Sequence, residues 1–221
     1  MPILLYCVTQ ANEGVGIAAG VCDSVVQSRE SEGLQFYWSE IADPDAFLSD
    51  GQGLKKATYQ FQQVLRQILA ATTPLPFPFP TLLVSKDAIE ERLAGERELY
   101  WEALQRIGDA VQYEIVARWA SDEQTDLAKP VSGRDYVKRR REATGRVAAV
   151  DSKLRSVTGD SVREWRARQE GKAHQWFALV ARKDRERFVT SLRSAGPSEG
   201  VRLRLSGPLS PSEFAAVKDK Y

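Results

Sequence analysis

The chain has 221 residues, of which 43% are hydrophobic and 28% charged, and its formal net charge is +1. This composition is typical of a globular protein, and the length allows one large or two small domains. The near-neutral charge argues against a general attraction to nucleic acid or acidic membranes. No apolar run reaches the roughly 18 residues of a membrane span. The first residues also lack the positive region of an export signal, so we expect an intracellular, cytoplasmic protein.

Two strands are predicted near the start of the chain. The apolar run 2–9 and the aromatic-rich run 34–41 are both bounded by polar residues, as strands are. Between them, residues 17–29 could form either a weak helix or a turn followed by a short strand. The loop after the second strand contains Pro44 and two glycines.

Two helices and a third strand are predicted further on. Apolar residues recur at gaps of three and four over 54–71, which predicts one buried helical face. A second helix is predicted to begin after Ser85, a capping residue, and to end near Gly108. Residues 111–119 alternate between apolar and polar side chains and predict a strand.

Prolines alternate with apolar residues over 74–80. Proline fixes φ and has no backbone donor, so this segment is predicted to be an extended edge strand or a rigid connector, and not a central strand. Phe77 and Phe79 lie within it. They could fill the domain core, or they could form a stiff docking surface for a partner.

These elements predict an α+β protein of two domains. In the first, residues 1–122, two helices set against an antiparallel sheet suggest a ferredoxin-like domain. The polar segment 121–132 predicts the boundary. The second domain, residues 123–221, is predicted to be a helix-rich α+β domain. It would contain a long helical stretch over 133–169 broken near Gly145 or Thr158-Gly159, strands at 176–182 and 200–206, a helix at 184–192 and a last short helix after Ser210.

The sequence predicts no catalytic, cofactor or metal site. His174 is the single histidine, and the two cysteines, Cys7 and Cys22, form no CxxC pair. Both cysteines are expected to be reduced, with Cys7 buried in a strand. Gly14 and Gly16 fit a GxGxxA pattern, but the preceding strand ends too early and Glu13 would repel a pyrophosphate. A glycine-rich loop explains that pattern better than a dinucleotide site does.

Charge is unevenly distributed along the chain. Residues 86–126 contain 11 acidic and 5 basic side chains, whereas residues 133–172 contain 12 basic and 6 acidic ones. A basic helix over 133–172 could follow a phosphate backbone, so a nucleic-acid-binding module is the alternative function. Interspersed acidic residues, such as Glu142 and Glu164, instead favour a solvated or packed helix.

Three motifs in order resemble the gas vesicle accessory family called GvpF/GvpL. They are the Pro-Phe stretch 74–81 followed by a helix and the Glu114-bearing strand, the Gly133-Arg134-Asp135-Tyr136-Val137 start of a long helix, and the Ser206-to-Phe214 ending. The chain is similar to a divergent member, because Pro78 and Pro80 stand where the family usually has Arg and Gly. Leu209 and Ser210 likewise replace a common Trp and Pro.

The resemblance implies a modified ferredoxin-like N-terminal domain, a helix-rich C-terminal domain and a role in assembling gas vesicles in the cytoplasm. It implies two kinds of partner: the small hydrophobic shell subunit and other gas vesicle accessory proteins. It implies no catalysis and no cofactor, and neither nucleic acid nor membrane is expected as a partner. The partner-binding residues predicted here are Phe77, Phe79, Phe36 and Trp38, and the runs 34–41 and 2–9 are predicted to offer sheet edges for strand addition.

Overall fold

The computed structural model describes residues 1–11, 15–119, 132–170, 173–194 and 200–215. The chain divides into two compact units, Met1–Ala110 with Leu209–Tyr221, and Val111–Pro208. The predicted boundary between residues 122 and 123 lies outside the described residues. The fold is mixed α+β, as predicted, with one four-stranded sheet in each unit.

The first unit has strand order β2-β3-β1-β4, and all neighbouring strands are antiparallel. Residues 17–29, which the sequence left open between helix and strand, form a short 3-10 turn and β2. The helix predicted to end near Gly108 ends at Ile107, and Gly108 is its C-terminal capping residue. The elements are β1 (Ile3–Gln10), β2 (Val26–Ser31), β3 (Leu34–Glu40), α1 (Asp45–Leu48), α2 (Gly51–Ala71), β4 (Leu75–Leu83) and α3 (Asp87–Ile107).

The two central strands of this sheet are β1 and β3. Strand β1 pairs with both β3 and β4, and β3 pairs with both β1 and β2. The prediction that the runs 2–9 and 34–41 offer free edges was therefore wrong. Both strands are almost entirely buried, because their apolar residues face packed layers on both sides. The edges are β2 and the proline-containing β4, and the edge position of β4 confirms the prediction for that segment.

The two long helices of this unit pack on opposite faces of the sheet. Tyr37 belongs to a buried cluster with Phe61 and other α2 residues. Its neighbour Phe36 instead lies 5.8 Å, between ring centroids, from Tyr100 of α3. Since successive strand residues point to opposite faces, α2 covers one face and α3 the other.

The second unit contains the other sheet, with strand order β6-β7-β5-β8. The strand predicted at 111–119 exists, but it belongs to this sheet and not to the first one, so the ferredoxin-like arrangement is not confirmed. The elements are β5 (Ala110–Trp119), α4 (Gly133–Thr158), β6 (Val162–Glu170), β7 (Ala173–Ala181), α5 (Arg185–Ser194) and β8 (Val201–Leu209).

The helix predicted over 133–169 is shorter than expected. It ends at Thr158, one of the predicted break points, and Gly159 follows with φ +48°. Residues 162–170 instead form β6, which pairs antiparallel with β7. The pairing to buried β7 outweighs the helical charge pattern of this Arg-rich segment. The predicted last helix is a turn at 212–214 that buries Phe214.

Candidate functional site

The four predicted partner-binding aromatics lie mostly in the core of the first unit. Phe36, Trp38 and Phe77 are almost fully buried, and Phe79 is half-buried. The rings of Phe36 and Phe77 lie 6.5 Å apart, and both contact Tyr100 of α3. These contacts give the aromatics a packing role, while their role in partner binding stays a prediction.

Strand β2 is the accessible edge of the first sheet. Among the described strands it pairs only with β3, so one side of its backbone has no strand partner. The opposite edge, β4, carries Pro76, Pro78 and Pro80, which cannot donate to an added strand. Sequence reasoning gave a short strand here as one of two alternatives and did not identify it as an edge, because its run, Val-Gln-Ser-Arg-Glu-Ser, has no apolar alternation.

A tight turn joins β2 to β3 and packs close to α3. Glu32 and Gly33 have φ values of +50° and +82°, the pattern of a two-residue hairpin turn with both central residues at positive φ. The Gly33 backbone N–H donates to the Glu30 carboxylate at 3.0 Å. A Cβ at position 33 would lie 2.9 Å from the ring of Trp101, so only glycine fits both the turn and the helix packing.

A groove of about 340 Å³ opens between β2 and α3. Leu34 and Leu93 form its apolar floor, and both are buried. Its lining residues are Arg29, Ser31, Glu32, Leu34, Glu90, Leu93, Ala94 and Arg97. An extended peptide added to β2 could place alternate side chains over this floor.

Two ion pairs cross the groove from the β2 hairpin to α3. Arg29 pairs with Glu90, and Arg97 pairs with Glu32. All four side chains are well exposed, so each pair contributes little to stability, about 0–1 kcal/mol. The rim of the groove, formed by these two ion pairs, therefore carries two positive and two negative charges. Its side chains can rearrange around a ligand at low cost.

A hydrogen-bonded cluster fixes α3 beside the buried aromatics. The Arg92 Nε donates to Glu96 and to the Tyr100 hydroxyl, both at 3.1 Å, and the Arg92 guanidinium lies 5.3 Å from the ring centroid of Phe77. The Tyr100 hydroxyl in turn donates to Glu96. Burial, followed by this hydrogen bond to Glu96, raises the pKa of Tyr100. The tyrosine therefore stays neutral and keeps its donor role.

The family model described as "Gas vesicle synthesis protein GvpL/GvpF" matches residues 2–216. The chain belongs to the GvpL/GvpF family. This assignment confirms the resemblance drawn from the proline stretch, the long-helix start and the C-terminal motif. The family is one of gas vesicle proteins and is not a known enzyme family.

Individual relatives agree with the GvpL/GvpF assignment. Gas vesicle protein L of Streptomyces sp. (strain CB03234) is 25% identical over 199 residues, covering 79% of this chain and 74% of the relative. The crystal structure of GvpF from Anabaena sp. PCC7120 matches with a TM-score of 0.77 at 16% identity over 98% of both chains. GvpF from Microcystis aeruginosa gives 0.76 at 15% identity over 98% of this chain and 99% of the other. At such low identity the two structures show a shared fold.

The glycine-rich loop and the single histidine were the other candidates considered from the sequence of this GvpL/GvpF member. Gly14 lies outside the described residues, and a Cβ on Gly16 would meet nothing within 4 Å. The His174 ring packs edge-on against Trp119 with centroids 5.3 Å apart. Within the described ranges, no group of three or more His, Cys, Asp or Glu side chains is placed to hold a metal ion. None of the helices described is both long and apolar enough to cross a membrane.

Proposed function

We propose that this GvpL/GvpF member is a cytoplasmic accessory protein of gas vesicle assembly that binds the hydrophobic shell subunit or another accessory protein without catalysing a reaction. The observation that carries the proposal is the family match over residues 2–216. The alternative function, nucleic-acid binding through a basic helix over 133–172, is not favoured by that match. The basic segment is also divided between α4 and β6 and forms no single helix.

The β2 edge, together with its groove, is the surface that we assign to the partner. The family resemblance implies a hydrophobic shell subunit, and covering its apolar surface before it polymerises would limit aggregation. Strand addition to β2 supplies backbone hydrogen bonds, and the floor formed by Leu34 and Leu93 accepts an apolar side chain. The short, charged β2 would limit pairing of this chain with itself.

The test is co-expression of the chain with a gas vesicle shell subunit, followed by co-purification at moderate salt. Ala94 is exposed and lines the groove, so Ala94→Arg should obstruct the site without disturbing the core. Gln105→Arg is the matched control, because it adds the same charge at an exposed α3 position outside the groove lining.

Soluble co-purification with the unaltered chain and the Gln105→Arg variant, but not with Ala94→Arg, would support both the function and the surface. Equal capture of the shell subunit by all three proteins would support the function and would show that the partner binds another surface. If the shell subunit aggregates in the presence of the folded, unaltered chain, and no accessory protein is captured either, the proposed function is wrong.

A further inference from the structure

The second unit contains a cleft of about 530 Å³ with a strongly basic lining. Four basic side chains face it against a single carboxylate, that of Glu186. The lining residues are Tyr113, Arg182, Lys183, Arg185, Glu186, Val189, Thr190 and Arg193. The whole chain carries a net charge of only +1, so this local excess is not a consequence of overall composition.

Helix α5 builds most of the cleft through its own periodicity. Glu186, Val189, Thr190 and Arg193 lie at positions i, i+3, i+4 and i+7, so they share one face. A 3-10 turn over Arg182–Asp184 precedes the helix and supplies two further bases. The site therefore combines helix, turn and strand positions and does not depend on the helix terminus alone.

The aromatic wall of the cleft is held in place from two sides. The ring of Tyr113 lies 4.8 Å, between centroids, from that of buried Phe188. A Cβ at Gly207 would approach the Tyr113 ring to 2.6 Å, so this position needs glycine. Packing thus fixes the wall against which the basic side chains are arranged.

The lining of the cleft includes a buried donor without a partner. The Nε of Arg185 is buried and has no hydrogen-bond acceptor among the described residues. A buried guanidinium donor without an acceptor is costly, and such groups in folded proteins call for an explanation. This nitrogen is closed off from solvent, so the Arg185 side chain would have to turn toward the cleft to donate it to a bound oxyanion in a charge-assisted hydrogen bond.

We propose that this cleft is an oxyanion site that binds the carboxylate side chains of an acidic segment of a protein partner. A carboxylate matches the fork of an arginine, and Tyr113 and Val189 can cover the aliphatic stems of Asp or Glu residues. A nucleic acid requires a basic stripe that follows its backbone, and Glu186 interrupts the basic lining here. The choice of a protein partner rests on the proposed function, but oxyanion binding itself can be measured without any gas vesicle protein.

The experiment is calorimetric titration of the full chain with a hexaglutamate peptide at low and moderate salt. Arg185→Gln and Arg193→Gln should each weaken binding by about tenfold, the worth of one charge-assisted hydrogen bond. Lys183→Gln, at an exposed position, should weaken it by a smaller factor. Arg202→Gln is the control, because it removes the same charge from an exposed position of β8 that does not line the cleft.

Inorganic phosphate and a short single-stranded oligonucleotide serve as competing probes. Hexaglutamate binding that the three cleft variants weaken and Arg202→Gln spares supports the proposal, as does weak competition by phosphate for the same site. Absence of hexaglutamate binding, equal losses in all four variants, or tighter binding of the oligonucleotide overturns it. Capture of the shell subunit is measured in a separate experiment, so failure of the proposed function can be told apart from failure of oxyanion binding.

Discussion

Phe77 and Phe79 lie two residues apart on β4, yet their rings pack against different helices. Phe77 contacts Tyr100 of α3 at 5.9 Å, and Phe79 contacts Phe61 of α2 at 4.9 Å, both between ring centroids. Residues at positions i and i+2 of a regular strand share a face. The exception arises because β4 changes register against β1, where Leu5 pairs with Thr81 but Cys7 pairs with Pro76. The resulting bulge lets one short segment fill the layers on both sides of the sheet.

This arrangement predicts that Phe77 is required for stability. Phe77→Ala should lower the free energy of unfolding by about 3–5 kcal/mol, because it leaves a cavity beneath Arg92 and Tyr100. Phe79→Ala should cost less, since Phe79 is half-exposed. Urea unfolding followed by tryptophan fluorescence measures both values.

The control for these substitutions is Val84→Ala, at a highly exposed position just after β4. It should change the free energy of unfolding by no more than about 0.5 kcal/mol. A Phe77→Ala variant of normal stability that has lost shell-subunit capture would contradict the core role and support the docking role predicted from the sequence.

The sequence predicts best the features that depend on local chemistry. The prolines of β4 exclude it from the middle of a sheet, and the spacing of Phe61, Val64, Leu65 and Ile68 requires one buried helical face. The sequence does not predict which sheet β5 joins, because either sheet could pair with such an alternating strand. Only tertiary packing decides that choice, and the ferredoxin-like arrangement predicted with β5 in the first sheet is not confirmed.

The candidate binding surfaces were hidden from the sequence for a related reason. Strand β2 has too few apolar residues to show a strand period, and it forms because β3 offers it a pairing edge. The bases of the second-unit cleft are dispersed among ordinary charged residues near α5. They form a cluster only when the 3-10 turn and the helix face bring Arg182 and Arg193 to one cavity.

The two cysteines should differ sharply in reactivity. Cys7 is buried, and burial raises the pKa of its thiol well above the ordinary value, whereas Cys22 is exposed. Since the thiolate is the reactive form, Cys7 should resist a thiol reagent such as DTNB until the protein unfolds. We expect one rapid equivalent in the native protein and two in denaturant.

A Cys22→Ser variant provides the control for this assay. Its native form should show no rapid equivalent, and its unfolded form should show one. A rapid native reaction in the variant would mean that the first sheet opens locally around β1.

Replacing Gly20 should destabilise the protein because a side chain would overlap its neighbours, and not because its backbone conformation requires glycine. A Cβ at this position would clash with the Tyr6 hydroxyl and would lie 2.7 Å from the Ser39 Oγ. These two groups form a buried hydrogen bond of 3.0 Å, and the Tyr6 hydroxyl also accepts from the Val21 N–H at 2.9 Å. Gly20→Ala should therefore lower the free energy of unfolding by about 1–3 kcal/mol.

The nearby Gly16 offers a matched comparison for Gly20, because a Cβ there would meet nothing within 4 Å. Gly16→Ala should leave stability unchanged or slightly increased, since alanine restricts the unfolded chain. Thermal unfolding of the two variants in parallel makes the test. Equal melting temperatures for both would contradict the packing described around Tyr6.

Asp50 should make the stability of α2 depend on pH. Its carboxylate accepts from the Gly53 N–H at 2.9 Å and the Gln52 N–H at 3.2 Å, and these hydrogen bonds lower its pKa. A lowered folded-state pKa contributes stability above the unfolded-state pKa and loses it as pH falls through the folded value. Asp50→Ala should lower the melting temperature at neutral pH, and the difference from the unaltered chain should shrink below about pH 4.

Asp50→Asn keeps a capping oxygen without a titrating charge, so it should retain part of the stability and lose this pH dependence. A constant difference between the alanine variant and the unaltered chain across the acidic range would show that the carboxylate charge does not stabilise the helix.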